Sequence, residues 1–554
     1  MTDPQNFAKI TFFENDNFLN HKIEKILINS LEIINEGISD LFELKFSIIT
    51  PYNKLNTELL NINLLSELLF KQIKIHLQYQ NSCKFYSGII TEILNTNSFQ
   101  EIIVTVRPYF WLLTQSNGYR CWTDSSLKQI IDFFNKKYPK LNLKLECSTQ
   151  EAQLARTNII QYGESDFEFL TKLLHEEGLN FFLYINKDTE NIFISDIIEN
   201  VFEKYVPYTP PQETSYQDIN IYKKNMQHHL KAVNTITTSF GFDQRNFGFL
   251  YKSNSDFKGQ ESNFYKENKE KLKLNWQHFN HINKYKDCIS SLNSSYPNII
   301  SKRNASNSNT VSFVESQKFL SIGETFRFYS DKSKFSVFLV CKLHSKIIFN
   351  YNKEMIPTQK DKNSFTQITQ DAIAYPKHDD YTFLVNFSTQ ISKPTQTILA
   401  KVFGKSDDDL KIEKDKNGLR IGICFLWQEE LQEKECSPFL WARLSQFLAS
   451  QNSGSVFIPK PGDEIIVTFA NDDIEQPIVI GCLYNSKNTI PQNLNEKNSG
   501  IAINLENDSS FLIEAKDSNI KFIIKENQLD VETGEGKISM NAKNIALNKL
   551  EVTE

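Results

Sequence analysis

The sequence predicts a mainly β protein with a few helices, and three observations support this fold class. Apolar and polar residues alternate over short runs through the first hundred residues, as expected for antiparallel strands with one buried face. A compact block at residues 397–490 repeats short apolar runs between turn-forming residues. The tail after Gly500 repeats still shorter alternating runs at a regular spacing.

Length and composition set limits on the class of protein. A chain of 554 residues exceeds what one hydrophobic core usually serves, which predicts three or four domains of about 150 residues each. Hydrophobic residues make up 40% and charged residues 23% of the chain, a composition that forms folded cores. The net charge is −6, from 61 basic and 67 acidic side chains, and no basic stripe indicates a nucleic-acid partner.

Targeting signals and cysteines point to a reducing compartment. No run approaches the ~20 apolar residues of a membrane-spanning helix, and the first residues lack the pattern of a signal peptide. We therefore expect the chain to be made in the cytoplasm. The cysteines form no CxxC pair and are interpreted as reduced structural thiols rather than metal ligands. They are Cys83, Cys121, Cys147, Cys288, Cys341, Cys424, Cys436 and Cys482.

Two segments have helical periodicity. Between Ser126 and Tyr138 the apolar residues recur at i, i+3, i+4 and i+7, and Pro139 follows. The second helix is better marked, because Ser165 and Glu168 have the spacing of a capping box and Gly178 can terminate the helix. The run LNFFLYI that follows is predicted to be a strand packed beside this helix.

The middle of the chain returns to strand-like runs. VNTITTSF, NTVSFVE, ETFRFYS and FSVFLVCKLH lie between about Val233 and Phe349. A polar segment from Lys252 to Asn309 interrupts them and is interpreted as an insertion with some helix. Residues 357–396 have no sustained period and predict a connector, with one strand at YTFLVNF.

The block after residue 397 predicts a small all-β domain. Its runs are ILAKVFG, LRIGICFLW, PFLWARLSQ, SGSVFIP, EIIVTFA and QPIVIGCLY. Turn-forming residues separate them at 415–418, 460–462 and 471–473. Five or six strands in about ninety residues suit an OB-type barrel.

The tail carries a strand repeat. Alternating runs begin at Ile501, Phe511, Ile520, Leu529 and Ile538, which are nine or ten residues apart. A thin stack of strands cannot bury its apolar faces alone. Identical chains wound about a common axis would cover these faces, with hydrogen bonds between strands of different chains.

Patterns that imitate known chemical sites are incomplete. Gly404-Lys405-Ser406 resembles the end of a phosphate-binding loop, but Leu399 stands where that loop needs a glycine. His175-Glu176-Glu177-Gly178 lacks the second histidine of a zinc protease and is interpreted as a polar helix end. Asp407-Asp408-Asp409 lacks the spaced ligands of a calcium loop. His228 and His229 are adjacent and diverge. The sequence therefore predicts no catalytic, cofactor-binding or metal site.

Three stretches resemble one family in the right order. Arg107–Phe134 and Ile159–Tyr184 look like hub segments of the VgrG family of type VI secretion spikes, which is related to tailed-phage baseplate hub and tail-spike proteins. Ser437–Leu494 is similar to the OB-domain segment of that family almost end to end. The resemblance extends weakly over most of the chain and leaves Lys252–Asn309 and the tail unmatched in detail.

The resemblance implies a domain order. It assigns residues 1–380 to a phage-hub-like domain of two similar β-barrels with helical inserts, and 381–396 to a connector. Residues 397–490 would form the OB-fold domain, and 491–554 a C-terminal needle that is an intertwined trimeric β-helix.

The resemblance also implies a function, which is a non-enzymatic trimeric spike that punctures target membranes and delivers effectors. Implied partners are two further copies of the chain, an inner-tube (Hcp-like) protein, baseplate proteins, a PAAR-type tip protein and an effector cargo. The protein would be cytoplasmic before firing, touch the target membrane transiently, and then enter the target cell or the extracellular space. The tip protein would bind Leu550, Glu551, Val552, Thr553 and Glu554.

Two other functional classes remain open at this point. A phage-tail-like cell-wall hydrolase would use the segment Lys252–Asn309, and peptidoglycan turnover lost on its deletion would favour it. A trimeric adhesin would bind intact target cells without a contractile apparatus. The resemblance also does not separate a type VI system from a phage-like extracellular particle.

Overall fold

The chain divides into two compact units in the computed structural model. The first comprises residues 1–397, 411–444 and 468–478, and the second comprises 398–410, 445–467 and 479–554. The described residues are 8–12, 27–49, 68–79, 82–95, 101–147, 154–185, 190–205, 225–228, 235–238, 242–243, 246–247, 278–281, 309–315, 319–331, 334–350, 365–376, 397–415, 418–431, 433, 435–451, 453–491, 499–504, 510–516, 519–524, 529–532 and 537–540.

Strands dominate up to residue 376. They are β1 (Ala8–Phe12), β2 (Leu27–Gly37), β3 (Glu43–Ile49), β4 (Gln72–Tyr79), β5 (Ser82–Asn95), β6 (Glu101–Arg107), β7 (Asn117–Ser125), β8 (Leu143–Leu145), β9 (Arg156–Ser165), β10 (Asn180–Ile185), β11 (Glu190–Ser195), β12 (Asn225–His228), β13 (Thr235–Thr238), β14 (Phe242–Asp243), β15 (Asn246–Phe247), β16 (His278–His281), β17 (Asn309–Glu315), β18 (Thr325–Asp331), β19 (Lys334–Asn350) and β20 (Phe365–Pro376).

One antiparallel sheet joins the start of the chain to its middle. Its strand order is β1-β4-β5-β6-β3-β2-β19-β20-β17-β12, and β18 pairs with β19. The early and the later strands meet where β2 pairs with β19, with Ser30 opposite Ile348 and Gly37 opposite Lys342. Residues about 300 positions apart in the chain are therefore hydrogen-bonded neighbours.

Two separate hydrophobic cores lie along this sheet. Leu31, Leu44 and Ile73 are fully buried in the first core, which β2 to β6 mainly supply. Val340 and Tyr375 are fully buried in the second core, which β17, β19 and β20 share with β10 and β11. This arrangement confirms the mainly β fold class.

The predicted helices are confirmed. Helix α1 is Leu127–Lys137 and begins at a capping box formed by Ser126 and Gln129. Helix α2 is Asp166–Glu177, and Ser165 and Glu168 form the predicted capping box at its start. A third helix, α3 (Ile198–Tyr205), and a short α4 (Leu426–Leu431) follow.

The end of α2 and the next strand also follow the prediction. Gly178 adopts the left-handed conformation with φ of 70°, which glycine tolerates without strain. Strand β10 then covers the predicted run LNFFLYI and pairs with β11. Helices α1 and α2 pack with these strands around a third core that includes Phe134, Phe169 and Phe181.

The chain departs from the prediction at residues 357–396. The described part of this region, Phe365–Pro376, is the long strand β20, which pairs with both β17 and β19. The connector interpretation is wrong there, because the buried polar Gln370 and the exposed apolar Ile373 interrupt the alternation of buried Ile368, Ala372 and Ala374. The predicted strand YTFLVNF lies outside the described residues, as does most of Lys252–Asn309, where the described part is strand β16.

The OB-type block has strands distributed over both units. They are β21 (Ile398–Val402), β22 (Ile412–Asp415), β23 (Gly418–Phe425), β24 (Leu440–Leu444), β25 (Ala449–Ser450), β26 (Ser453–Gly454), β27 (Glu464–Phe469) and β28 (Pro477–Leu483). In the first unit β23 pairs antiparallel with β22 and β24, and in the second β21 pairs antiparallel with β27. The predicted strand LRIGICFLW ends at Phe425, because α4 begins at Leu426.

The tail contains the five predicted strands. They are β29 (Ser499–Asn504), β30 (Ser510–Lys516), β31 (Asn519–Ile524), β32 (Leu529–Glu532) and β33 (Lys537–Met540). Each strand pairs antiparallel with the next, so these hydrogen bonds run within one chain rather than between chains. At most five residues separate neighbouring strands, which is short enough for local antiparallel pairing. Among the described residues, no helix is long and apolar enough to cross a membrane.

Candidate functional site

Two arginines hold the two ends of helix α2. Arg120 on β7 donates to Asp166 at the first turn, with 2.6 Å between Nη1 and Oδ1. Arg156 on β9 forms ion pairs with Glu176 and Glu177 at the last turn. Strands β7 and β9 are antiparallel neighbours. The helix is therefore fixed at both termini by adjacent strands.

The cluster around Arg120 includes Glu433, which belongs to a segment about 300 positions later in the chain. Nε of Arg120 donates to Glu433 at 2.9 Å, and Lys137 also binds Glu433 at 2.8 Å. Asp166 is fully buried and accepts a hydrogen bond from Tyr138 at 2.7 Å. Burial alone would raise the pKa of Asp166, but hydrogen bonds from Gln161 and Tyr138 and the charge of Arg120 hold that pKa below its ordinary value.

The second contact with this distant segment is made by Asn158 on β9. Its Oδ1 accepts from the Trp441 N–H at 3.0 Å, and its Nδ2 donates to the Trp441 carbonyl at 2.9 Å. The same Nδ2 lies 3.1 Å from the Glu475 carbonyl. Arg156 lies 3.7 Å from the Glu475 carboxylate. Trp441 pairs with Gly422 of β23, and the Asn158 amide provides a further pair of hydrogen bonds like those of a second neighbouring strand.

Further contacts attach Gln428 and Ser437 to strand β7. Gln428 donates to the Cys121 sulfur at 2.8 Å and accepts from the Phe425 N–H at 2.6 Å. The Ser437 hydroxyl accepts from the Thr123 N–H at 2.8 Å. We call this set of contacts, centred on Arg120, Asn158 and Arg156, the junction. The junction attaches residues 425–441 and Glu475 to the strands that carry α2, and all of it lies in the first unit.

A different feature stands out in the second unit. Residues 445–458 form a hairpin whose short strands β25 and β26 pair at Ala449 and Gly454. Phe457 N donates to Gln446 Oε1 at 2.8 Å, and Gln446 Nε2 donates to the Phe457 carbonyl at 3.2 Å. The Ser445 N–H binds the Val479 carbonyl at 2.9 Å. The hairpin is therefore an ordered structure with a defined root.

This hairpin exposes its large apolar side chains. Phe447 is 97% exposed, and Val456 is 68% exposed. Leu448, Phe457 and Ile458 are each between 43% and 52% exposed. Single exposed apolar residues are ordinary, but five on one short hairpin form a patch of the kind that marks an interaction surface. We call these five residues the apolar hairpin patch.

More apolar side chains are exposed along β28 and beyond it in the same unit. Ile480 is 52% exposed and Tyr484 is 64% exposed, and Leu483 and Ile490 are also exposed. On β28, Val479 is buried while Ile480 faces outward, as strand alternation requires. The sequence analysis missed this surface. Apolar residues on both sides of the turn SQNSG, without polar alternation, were the available signal.

The sequence patterns that imitate chemical sites have structural roles. Asp407–Asp409 form an exposed 3-10 turn after Ser406, and Lys460 lies 3.2 Å from Asp407. The Lys405 N–H donates to Asp409. Glu176 and Glu177 of the protease-like pattern bind Arg156, as described above. His228 lies on β12. Within the described residues no group of three His, Cys, Asp or Glu side chains could hold a metal ion.

Three of the described cysteines, Cys121, Cys341 and Cys436, are buried. Burial raises the pKa of Cys341 and that of Cys436 to about 12, so both remain protonated. The residues predicted to bind a tip protein, Leu550 to Glu554, lie outside the described residues.

Two family models match the chain. Residues 35–289 match the phage tail baseplate hub family (GPD). Residues 410–484 match the type VI secretion system/phage-baseplate injector OB domain. The chain therefore contains one segment similar to a phage baseplate hub and another similar to an injector OB domain.

The curated relatives are more specific about the family. The chain is 22% identical over 442 residues to the type VI secretion system spike protein VgrG1a of Pseudomonas aeruginosa, covering 78% of this chain and 64% of the relative. It is 23% identical over 352 residues to the actin cross-linking toxin VgrG1 of Vibrio cholerae, covering 63% of this chain and 30% of that protein. These matches confirm the predicted resemblance to the VgrG family, although the chain spans less than two thirds of either relative's length.

Two solved structures from type VI secretion systems and related complexes have folds similar to that of this chain. The chain aligns with the E. coli c3393 protein, described as a component of the type VI secretion system similar to the T4 tail proteins gp27 and gp5. The TM-score is 0.53 at 14% identity, with 86% of this chain and 100% of that one covered. It also aligns with a chain of a PdpA-VgrG complex with a TM-score of 0.57 at 11% identity, covering 93% and 94% of the two chains. At these identities the likeness concerns the fold.

Proposed function

We propose that the chain is the trimeric structural spike of a contractile injection machine of the type VI class. The observation that carries the proposal is the apolar hairpin patch, which a single chain leaves in water on the domain that resembles an injector OB domain. Three copies arranged about one axis would cover the patch with its own equivalents, and a closed ring leaves no apolar surface free for further growth.

The energy available from such an interface is substantial. Each large apolar side chain that becomes fully buried contributes roughly 1.5–3 kcal/mol. Phe447 starts at 97% exposure and therefore has almost all of its apolar surface to bury. The five residues of the patch supply enough apolar area to contribute to stable association, although ordering and loss of translational freedom offset part of this gain.

The tail adds a second reason for assembly. In one chain β29 and β33 are the two ends of a five-stranded sheet, so each has an unpaired edge among the described residues. Open edges invite pairing, and wrapping three such sheets around one axis would cover them. In this proposal residues 491–554 form the needle, and Leu550 to Glu554 present the surface for a PAAR-type tip protein.

The remaining assignments of the proposal follow from the predicted domain order. Residues 1–380 form the hub, which binds baseplate proteins and the first ring of the inner (Hcp-like) tube. Residues 381–396 connect the hub to the OB domain at 397–490. The junction supports mechanical rigidity, because charged pairs buried at both ends of α2 resist displacement of residues 425–441. The spike acts mechanically, without catalysis of its own, and carries any effector as a separate cargo.

The location of the spike changes with firing. It waits in the cytoplasm, crosses the target membrane as the sheath contracts, and is released into the target cell or the extracellular space. The relatives named as type VI secretion system spike proteins support the assignment as a spike, on which this cycle depends.

The decisive experiment is the mass of the purified full chain in solution, measured by multi-angle light scattering at several micromolar concentrations. A chain that ends at residue 500 is measured in parallel. We expect a full-length trimer, and weaker association of the shorter chain because the needle is missing. A full chain that stays monomeric at these concentrations would contradict the proposal.

A further inference from the structure

A cysteine and a histidine form a close pair on the outer face of the hub sheet. Nε2 of His76 on β4 lies 2.7 Å from Sγ of Cys83 on β5. In the antiparallel register His76 stands opposite Phe85 and Gln78 stands opposite Cys83, so the pair is diagonal across the two strands. Ile75 and Leu77 point the other way, into the core. Cys83 is exposed.

The imidazole is held in a fixed orientation. The rings of His76 and Phe85 are stacked, with their centroids 4.7 Å apart and an angle of 9° between their planes. Such stacking limits rotation of the imidazole about its own side-chain bonds. Its nitrogen therefore stays directed at the sulfur of Cys83. A nucleophile with an oriented base within hydrogen-bond reach is the arrangement that activates thiols in enzymes.

A second exposed cysteine provides an internal comparison. Cys482 in the second unit is also exposed. Burial of its sulfur and the negative charge of Asp463 raise the pKa of Cys482. Burial likewise raises the pKa of Cys341 and Cys436, which are not accessible. The two exposed thiols therefore differ in their neighbours, because Cys83 lies beside an imidazole nitrogen and Cys482 interacts with the carboxylate of Asp463.

We propose that Cys83 is a redox modification site, activated by His76, that reacts with low-molecular-weight disulfides such as oxidised glutathione. His76 accepts the thiol proton, and the Cys83 thiolate attacks one sulfur of the disulfide. The sulfur–sulfur bond breaks, a new bond joins Cys83 to the attacked sulfur, and the departing thiolate takes the proton from His76. Cys83 is oxidised and the leaving sulfur is reduced. A thiol reductant reverses the step and restores the Cys83 thiol.

The modification would place a charged peptide on the outer face of the hub sheet, where Cys83 is exposed. This inference does not depend on the proposed spike function, because it concerns two side chains within one chain. Assembly of the hub with partners on that face would become sensitive to the thiol–disulfide balance of the compartment.

The test treats the full-length protein with oxidised glutathione and follows the adducts by intact mass and peptide mapping, which reports each cysteine separately. At pH 6.5 we expect Cys83 to react at least about tenfold faster than Cys482, since a thiol without a base is about 1% ionised there. Dithiothreitol should remove the adduct. The variants are His76→Gln, which removes the base, and Cys482→Ser as the matched control.

The pH profile separates activation from simple exposure. In His76→Gln the Cys83 rate should fall about tenfold at pH 6.5 and approach the wild-type rate near pH 9, where an ordinary thiol ionises. In the same chain, protection of the buried Cys341 reports whether the first unit is still folded, and the Cys482 rate reports on the second unit. Cys482→Ser should leave the Cys83 rate unchanged. Equal rates at Cys83 and Cys482 in the wild type, or an unchanged Cys83 rate in His76→Gln with a normal Cys482 rate, would overturn the proposal.

Discussion

The side chain of Asn158 binds the backbone of Trp441 in both directions, at 3.0 Å to its N–H and 2.9 Å to its carbonyl. This pairing imitates the two hydrogen bonds that a neighbouring strand would provide. It connects residues 283 positions apart in the chain. Of all natural side chains, only those of Asn and Gln carry a donor and an acceptor in the amide geometry needed for this role.

Replacing Asn158 with Leu should therefore loosen the backbone around Trp441. The substitution keeps the side-chain size but leaves the Trp441 N–H and the carbonyls of Trp441 and Glu475 without this partner, which costs about 1–3 kcal/mol per buried group. We expect a lower thermal transition and faster hydrogen exchange at the Trp441 amide. Asn117→Ala, an exposed position on β7, is the control and should leave both unchanged.

The second prediction concerns Asp166 and acid. Removing the buried charge in Asp166→Asn should destabilise the chain by about 3–5 kcal/mol at pH 7, since Arg120 loses its buried partner. The pKa of Asp166 is held below its ordinary value in the folded chain, so its stabilising contribution is present above the unfolded pKa of about 4 and is lost as the pH falls through the folded pKa.

Thermal unfolding measured from pH 7 down to pH 3 tests this directly. The difference between wild type and Asp166→Asn should be large at pH 7 and shrink below about pH 4. Asp132→Asn changes an exposed aspartate on α1 and should show little difference at any pH. A gap between wild type and Asp166→Asn that stays constant down to pH 3 would be inconsistent with the assigned ion pair.

Glu190 should give the opposite pH dependence. Burial raises its pKa to about 7, although its carboxylate faces the N–H groups of Tyr109 and Phe110. Its Oε1 is buried without a hydrogen-bond partner among the described residues. The folded chain therefore binds this proton more tightly than the unfolded chain, and stability should decrease as the pH rises from about 4.5 to 7.

Glu190→Gln removes this titration while keeping the shape of the side chain. We expect the variant to be more stable than wild type at pH 8 by about 1–3 kcal/mol, and similar to it at pH 5. Thermal unfolding at the two values measures the difference. Equal stability of both proteins at pH 8 would show that ionisation of the Glu190 carboxyl does not lower the free energy of unfolding.

The apolar hairpin patch leads to the fourth prediction. Phe447→Ser removes the most exposed large apolar side chain of the hairpin and should weaken self-association about tenfold or more, because it deletes roughly 1.5–3 kcal/mol of burial per interface. The matched control is Phe70→Ser, which removes a phenylalanine that is 72% exposed in the first unit. Sedimentation velocity over a concentration series gives both association constants. If Phe70→Ser weakens association as much as Phe447→Ser, the hairpin is not the interface.

Local sequence rules were sufficient for several elements of this protein. Helix α2 could be predicted with both of its ends, because Ser165 and Glu168 act at its first turn and Gly178 directly follows its last turn. The five tail strands could be predicted because their spacing repeats. Each predicted start lies in a strand: Ile501, Phe511, Ile520, Leu529 and Ile538. The resemblance at Ser437–Leu494 placed the OB domain, which the match at residues 410–484 supports.

Only the tertiary structure decided the contacts that join distant segments. The pairing of β2 with β19, the binding of Glu433 by Arg120 and the binding of Trp441 by Asn158 each connect residues about 300 positions apart. A single sequence contains no local signal for such pairs, since their energy arises only when the two segments are already side by side. Strand β20 was missed for a related reason: its pattern becomes clear only when the neighbours on both of its sides are known.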